Sequence, residues 1–348
     1  MKIGFDMMLW TTRVTEDHRR LLEDIKATGY DGVEIPIFEG MPDDYARLGR
    51  VLDEIGLERT GISVIGSLEA NPLSPDAEDR KRGLAYLTWC IECTAALGAR
   101  VVGGPLHSTL GYFSGEPPTD DERQRARDFH REVGDVAARN NVRIALEAIN
   151  RFECYFANTM DDLCRHVAAV GHPAIQAMYD TFHANIEEAD PVAAFTRNAG
   201  HVIHVHISEN DRGVPGRGHV PWARTYAALR RAGYDGWLTI EAFGRALPAL
   251  AAATKIWRDL SEAPEDVYRD GFVSIRDGWK EAGRRQRAAR AKRRAAKAEA
   301  TAAPKRTKPR AAAPKAGKRP AAGRARPAVR PALAGRRTAA AKPRRGKK

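Results

Sequence analysis

Cysteine is scarce in this chain, with four residues in 348, and there is no apolar run of the roughly 18 residues that a membrane span requires. Cys90, Cys93, Cys154 and Cys164 are too few to form a disulfide framework for a chain of this length. The pair Cys90-x-x-Cys93 has no second pair to complete a zinc site, and it falls in a helical pattern with Leu84, Leu87, Ile91 and Ala95, so buried core thiols are expected. Met1-Lys2-Ile3 runs directly into a strand pattern instead of an export signal, which makes a reducing cytoplasmic setting the expectation. A glycine-rich nucleotide fingerprint is also missing: Trp10-Thr11-Thr12-Arg13 follows the first strand pattern.

Acidic residues all but vanish after Gly283. From Arg284 to Lys348 there are 25 Lys or Arg against one acid, Glu299, and there is no aromatic residue. Of the chain's 57 basic and 45 acidic residues, 32 and 44 remain in 1–283, so the folded part is acidic and the overall +12 describes neither half. Loose repeats of Ala, Lys, Arg and Pro, such as Ala-Pro-Lys and Gly-Lys-Arg-Pro, cannot bury enough apolar surface to fold. The expected division is a folded domain over 1–283 and a disordered basic tail over 284–348.

Short apolar runs alternate with helix-period segments over the first 245 or so residues, the pattern of repeated strand–helix units around a parallel sheet. Eight strands are predicted: Ile3–Leu9, Gly32–Phe38, Thr60–Ile65, Arg100–Leu106, Arg143–Ile149, Ile175–Phe182, Val202–Ser208 and Trp237–Phe243. Thr15-Glu16 and Asn158-Thr159 open helices that close at Gly29 and Gly171. Eight units in this length predict a closed (β/α)8 TIM barrel, an α/β fold, with C-terminal helices over Lys255–Asp259 and Pro264–Arg284.

Four predicted strand ends carry the chemistry: LEAINRFE at Glu147, MYDTFH at Asp180, HVHISENDRG at His206 and TIEAFG at Glu241. Successive separations of 33, 26 and 35 residues match one strand-plus-helix repeat, so the four side chains converge at the mouth of a barrel. Three carboxylates facing one cavity repel each other unless a cation lies between them. This oxygen-rich set suits manganese, with magnesium or cobalt as alternatives. His107 ends strand four, His204 lies one pleat below His206 and is expected to be structural, and Trp10 and Phe38 are candidate pocket walls.

These stretches, with YDTFHANIEE, PGRGHVPW and IWRDLS, resemble the ketose 3-epimerases related to D-tagatose and D-psicose 3-epimerase, within the xylose-isomerase-like sugar isomerase/epimerase barrels. The resemblance covers roughly residues 1–280. It implies that Glu147 and Glu241 bind the metal and exchange the proton at carbon 3, that Asp180 and His206 complete the ligands, and that Glu153, His183 and Arg212 hold the carbonyl end of the sugar. Two carboxylates, one on each face of a planar enediolate, would let one remove the proton and the other return it with inversion. It also implies a dimer or tetramer.

Other readings stay open at this point. An aldose–ketose or keto-sugar isomerase would use the same ion site, and Gly213-Val-Pro-Gly-Arg-Gly218 brings Arg217 to a region where barrels hold phosphate, so a phosphorylated sugar is an alternative. A DNA-acting barrel of the endonuclease IV kind also uses Asp-x-x-His, as in Asp180-Thr-Phe-His183, but it needs histidines after strands two and three, and neither has one. The basic tail could hold nucleic acid without reading its sequence, which would place the protein at the nucleoid.

Overall fold

A computed structural model describes residues 1–302 and divides the chain into two units, Met1–Lys297 and Ala298–Lys348; the first holds the barrel. Eight parallel strands close on themselves in the order β1 to β8: Lys2–Asp6, Gly32–Pro36, Glu58–Ile62, Val101–Gly104, Arg143–Glu147, Ile175–Asp180, Val202–Ile207 and Trp237–Ile240. Closure pairs β1 with β8, Phe5 lying beside Ile240. The expected TIM barrel is therefore present.

Helices cover the outside: α1 (Arg19–Thr28), α2 (Pro42–Ile55), α3 (Ala77–Ala96), α4 (Asp120–Arg139), α5 (Met160–Val170), α6 (Thr181–Glu187), α7 (Pro191–Asn198), α8 (Trp222–Ala232), α9 (Pro248–Thr254) and α10 (Pro264–Ala302). Their ends follow the sequence signals. The Thr159 hydroxyl accepts the Asp162 N–H at the start of α5, and α1 stops at Gly29, whose φ of +116° is left-handed. The main apolar layer lies between strands and helices, and all four cysteines are free and buried.

Each strand is shorter at its mouth end than the apolar pattern suggests. β1 stops at Asp6, and a 3-10 turn takes Met7–Leu9, because the Asp6 carboxylate accepts the Met8 N–H and caps that turn. After β4 the chain bends at Gly104, with φ +125°, where a side chain's Cβ would lie 2.0 Å from the Ser63 carbonyl oxygen. That bend returns His107 to the barrel.

Two helix boundaries differ from expectation. Lys255–Asp259 is not a helix: the helical turn is α9, started by Pro248 at its first position and stopped by Lys255 at φ +61°. The last helix does not end at Arg284: α10 runs unbroken to Ala302. Ala, Arg and Lys are strong helix formers, and no proline interrupts 265–302. The remainder of the expected disordered tail, 303–348, lies outside the described residues.

His107, His130 on α4 and His166 on α5 form a buried file of imidazoles, with His166 Nε2 3.1 Å from His130 Nδ1. Burial first, then His130, pushes His107 down to about 3; burial, His130 and His107 push His166 down to about 2. Both rings are neutral in the fold but gain protons in the unfolded chain below its ordinary value of about 6.5. Their contribution is thus complete above pH 6.5 and is lost as pH falls from there toward 3, at up to about 1.4 kcal/mol per pH unit for each ring. Between pH 6.5 and 5, stability from urea unfolding is expected to fall about 1 kcal/mol less in His166→Gln than in the wild type; equal losses would contradict this.

Candidate functional site

The barrel mouth collects the charged residues at the ends of adjacent strands. Glu147 ends β5 and Asp180 ends β6; His206 lies on β7 opposite Asp180 in register, and Glu241 directly follows β8. Ligand atoms of all four lie within 4.8 Å of one another, and all four residues are buried. His206 Nδ1 is 3.5 Å from Glu241 Oε1 and 3.7 Å from Asp180 Oδ2.

Electrostatics divides the carboxylates. Burial, then Glu241 and Asp180, raises the Glu147 carboxyl well above the ordinary value. Burial also acts to raise Asp180, but the Arg212 guanidinium beside it holds it well below its ordinary value. Among the described residues, buried Glu147 Oε1 and His206 Nδ1 have no hydrogen-bond partner, and the donor set is three carboxylates with one imidazole. Orphaned buried atoms beside converging anions fit a divalent cation well.

Arg212 is a buried part of this site rather than a solvated loop residue. Its left-handed backbone, φ +65°, turns the guanidinium inward between Phe182, 3.9 Å below it, and Phe243. Its Nη1 bonds Asp180 Oδ2 at 2.8 Å, Ser208 Oγ at 2.9 Å and Glu241. His183 Nδ1 accepts the Asn150 N–H at 3.1 Å, so a neutral ring carries its proton on Nε2. Burial and then Arg212 push His183 down to about 3, keeping it neutral. Arg212 Nη2 lies 2.9 Å from that Nε2. Because both then carry protons, this is a contact between two donors that leaves each free to serve an acceptor in the pocket.

Glu147, Glu153, His183, Arg212 and Glu241 line one open pocket, with Phe38 and Phe243 on its apolar walls. Glu153 Oε1 accepts from Asn150 Nδ2 at 3.0 Å. All seven residues singled out in the sequence are therefore brought together. Trp10 is not a wall; it packs on Phe5 and Tyr268, with ring centroids 5.0 and 5.9 Å away. His107 sits behind the site, its Nε2 2.8 Å from the Glu147 carbonyl oxygen.

The loop after β7 does not present a phosphate cradle. Its Gly216 and Val220 N–H groups and the Trp222 indole donate to the Glu209 carboxylate at 2.8, 3.0 and 2.8 Å, while Arg217 pairs on the surface with Asp270 at 2.6 Å. An internal carboxylate thus takes the donors that a phosphate would need, which removes the basis for the phosphorylated-sugar reading.

Several site residues had no strong sequence signal. Glu34 and Asp6 are charged positions inside otherwise apolar strand runs and are fully buried. Ser208 Oγ donates to the Glu241 carbonyl at 2.7 Å, and Thr181 Oγ1 to the Ser208 carbonyl at 2.7 Å, bracing the ends of neighbouring strands. A lone acid within a buried strand was the one visible hint.

The model of the xylose isomerase-like TIM barrel family matches residues 22–277. D-psicose 3-epimerase from Ruminiclostridium cellulolyticum is 32% identical over 281 residues, covering 78% of this chain and 93% of that protein. Among solved structures, L-ribulose 3-epimerase superposes with a TM-score of 0.77 at 29% identity, covering 88% of this chain and 99% of that one. D-allulose 3-epimerase from Methylomonas sp., solved with D-allulose, has a TM-score of 0.74 at 25% identity, covering 80% and 96%. With this fold, this cluster of buried acids and these relatives, the chain belongs to the xylose isomerase-like TIM-barrel family as one of its ketose 3-epimerases, an isomerase-class enzyme.

Proposed function

We propose that the protein inverts carbon 3 of a free ketose, with Glu147 and Glu241 as the proton-exchanging pair. The observation that carries this reading is that these two carboxylates, at the ends of β5 and β8, line one pocket with ligand atoms within 4.8 Å of each other and of those of Asp180 and His206. Manganese is the ion we assign; held by Glu147, Asp180, His206 and Glu241, it would draw electron density from the ketone and make the neighbouring C–H acidic. One glutamate takes the carbon 3 proton, and the other returns it from the opposite face.

Arg212 and the Nε2–H of His183 are the donors for the sugar oxygens at the carbonyl end, and Glu153 accepts from a hydroxyl. The apolar walls limit water around the planar enediolate. Support for an unphosphorylated substrate comes from Glu209, which occupies the donors of the β7 loop. We further assign a reducing cytoplasmic compartment, in keeping with four free cysteines, and subunit pairing through loops where Phe113, Phe152 and Trp257 stand exposed.

A separate observation favours nucleic acid as a second partner, at α10. Eight Lys or Arg and no acid lie between Arg284 and Lys297, and residues 287–298 are exposed. Arg287, Arg290, Lys292, Arg293 and Arg294 form no ion pair among the described residues. At 1.5 Å per residue this is about one charge per 2.6 Å, comparable with the roughly 1.7 Å spacing of phosphate charge along duplex DNA. Like charges three and four apart destabilise a lone helix, and a polyanion relieves that strain.

Two outcomes test these readings. Glu147→Gln and Glu241→Gln should each lower ketose epimerisation by about 1000-fold while circular dichroism reports an intact barrel; near wild-type turnover in either sinks the assignment. Replacing Arg287, Arg290, Arg293 and Arg294 together by Gln in the full chain should weaken binding to a duplex of about 20 bp at least tenfold. It should also reduce the slope of log affinity against log salt by about 3.6; unchanged binding removes α10 from the interface.

A further inference from the structure

We propose that Glu34, on β2, is a positioning residue that fixes His206 from behind so that its Nδ1 faces the ion site. This rests on the four-residue ion site described above. β2 and β7 stand three strands apart around the barrel, so the contact crosses the interior. Glu34 Oε1 lies 2.6 Å from His206 Nε2, and both residues are fully buried.

The carboxylate is itself held at its other end. Thr60 Oγ1, in register with Glu34 on β3, donates to Oε2 at 2.8 Å, and His204 Nε2 lies 2.9 Å from the same oxygen without an aligned hydrogen bond. A carboxylate accepts only, so a neutral His206 ring carries its proton on Nε2 and leaves the Nδ1 lone pair for an ion. That Nδ1 is the buried, unpartnered atom facing Asp180 and Glu241. A hydrogen-bonded imidazole of fixed tautomer and tilt is a better ligand than a free one, typically by about 10–100-fold in metal affinity.

Burying a carboxylate in an apolar strand is costly unless it is fully bonded. Here its bonds go to the layer directly beneath the ligands. Gln at this position keeps the size but loses the charge, and its amide can present a donor to a ring nitrogen that is also a donor. Thr60→Val leaves Glu34 intact but frees its Oε2 end.

The test is calorimetric titration of the metal-free full chain with manganese, combined with the nitrogen coupling seen in electron spin-echo spectra of the bound ion. Wild type should bind one ion per chain with a clear histidine nitrogen coupling. Glu34→Gln should bind about 10–100-fold more weakly with an altered coupling, and Thr60→Val about threefold more weakly. Metal-free thermal midpoints should stay close to wild type, as a merely structural role would not allow.

Affinity and coupling in Glu34→Gln equal to wild type would overturn the proposal. So would a second ion per chain lost in that variant, which would make Glu34, His204 and His206 a metal site of their own. If Glu34→Gln does not fold, Thr60→Val decides, and wild-type affinity there overturns it. Failure of the wild type to bind manganese would instead strike at the ion site itself.

Discussion

Mutual repulsion among three buried carboxylates is the constraint on which the rest of this protein depends. Glu147, Asp180 and Glu241 bring their oxygens, with a nitrogen of His206, within 4.8 Å of one another in a barrel whose surroundings are largely apolar. Such a group persists only where cations and donors balance it. Arg212 contributes one positive charge from a left-handed backbone position, bonded to two of the three acids, and a divalent ion would contribute the rest.

The barrel makes this concentration of charge possible by fixing each member from outside the site. Strand register places Asp180 beside His206, while Ser208 and Thr181 tie the ends of β6, β7 and β8 together through carbonyl oxygens. Behind β5, His107 reaches the Glu147 carbonyl after the bend at Gly104. Below the ligands, Glu34 and Thr60 continue the polar layer across the interior. Reactive groups are thus carried on short strand ends, and rigid neighbours hold them to the sub-ångström tolerance that proton transfer demands.

Much of this was legible in the chain because a parallel barrel repeats. Glu147, Asp180, His206 and Glu241 each follow an apolar strand pattern at repeat spacing, so their convergence follows from topology alone. Glu34 was not legible as a partner of His206, since residues 172 apart meet only when the barrel closes and brings β2 within reach of β7 across the interior. Local competition hid other features. A side-chain cap at Asp6 ended β1 early, Pro248 started a helix ahead of the expected Lys255–Asp259, and the alanines after Gly283 extended α10 despite its charge. The loop around Arg217 read as a phosphate site because backbone donors can be foreseen from glycines, whereas their capture by Glu209 cannot.

The central claim is that Glu147 and Glu241 exchange one proton at one carbon across two faces of the sugar. It is tested most directly by incubating manganese-loaded protein with a panel of ketoses in deuterated water and locating the label by nuclear magnetic resonance. Deuterium at carbon 3 of the product, with that centre inverted, is the predicted result. Deuterium at carbon 1 or 2, or epimer formed with no label from solvent at carbon 3 under single turnover, would contradict it.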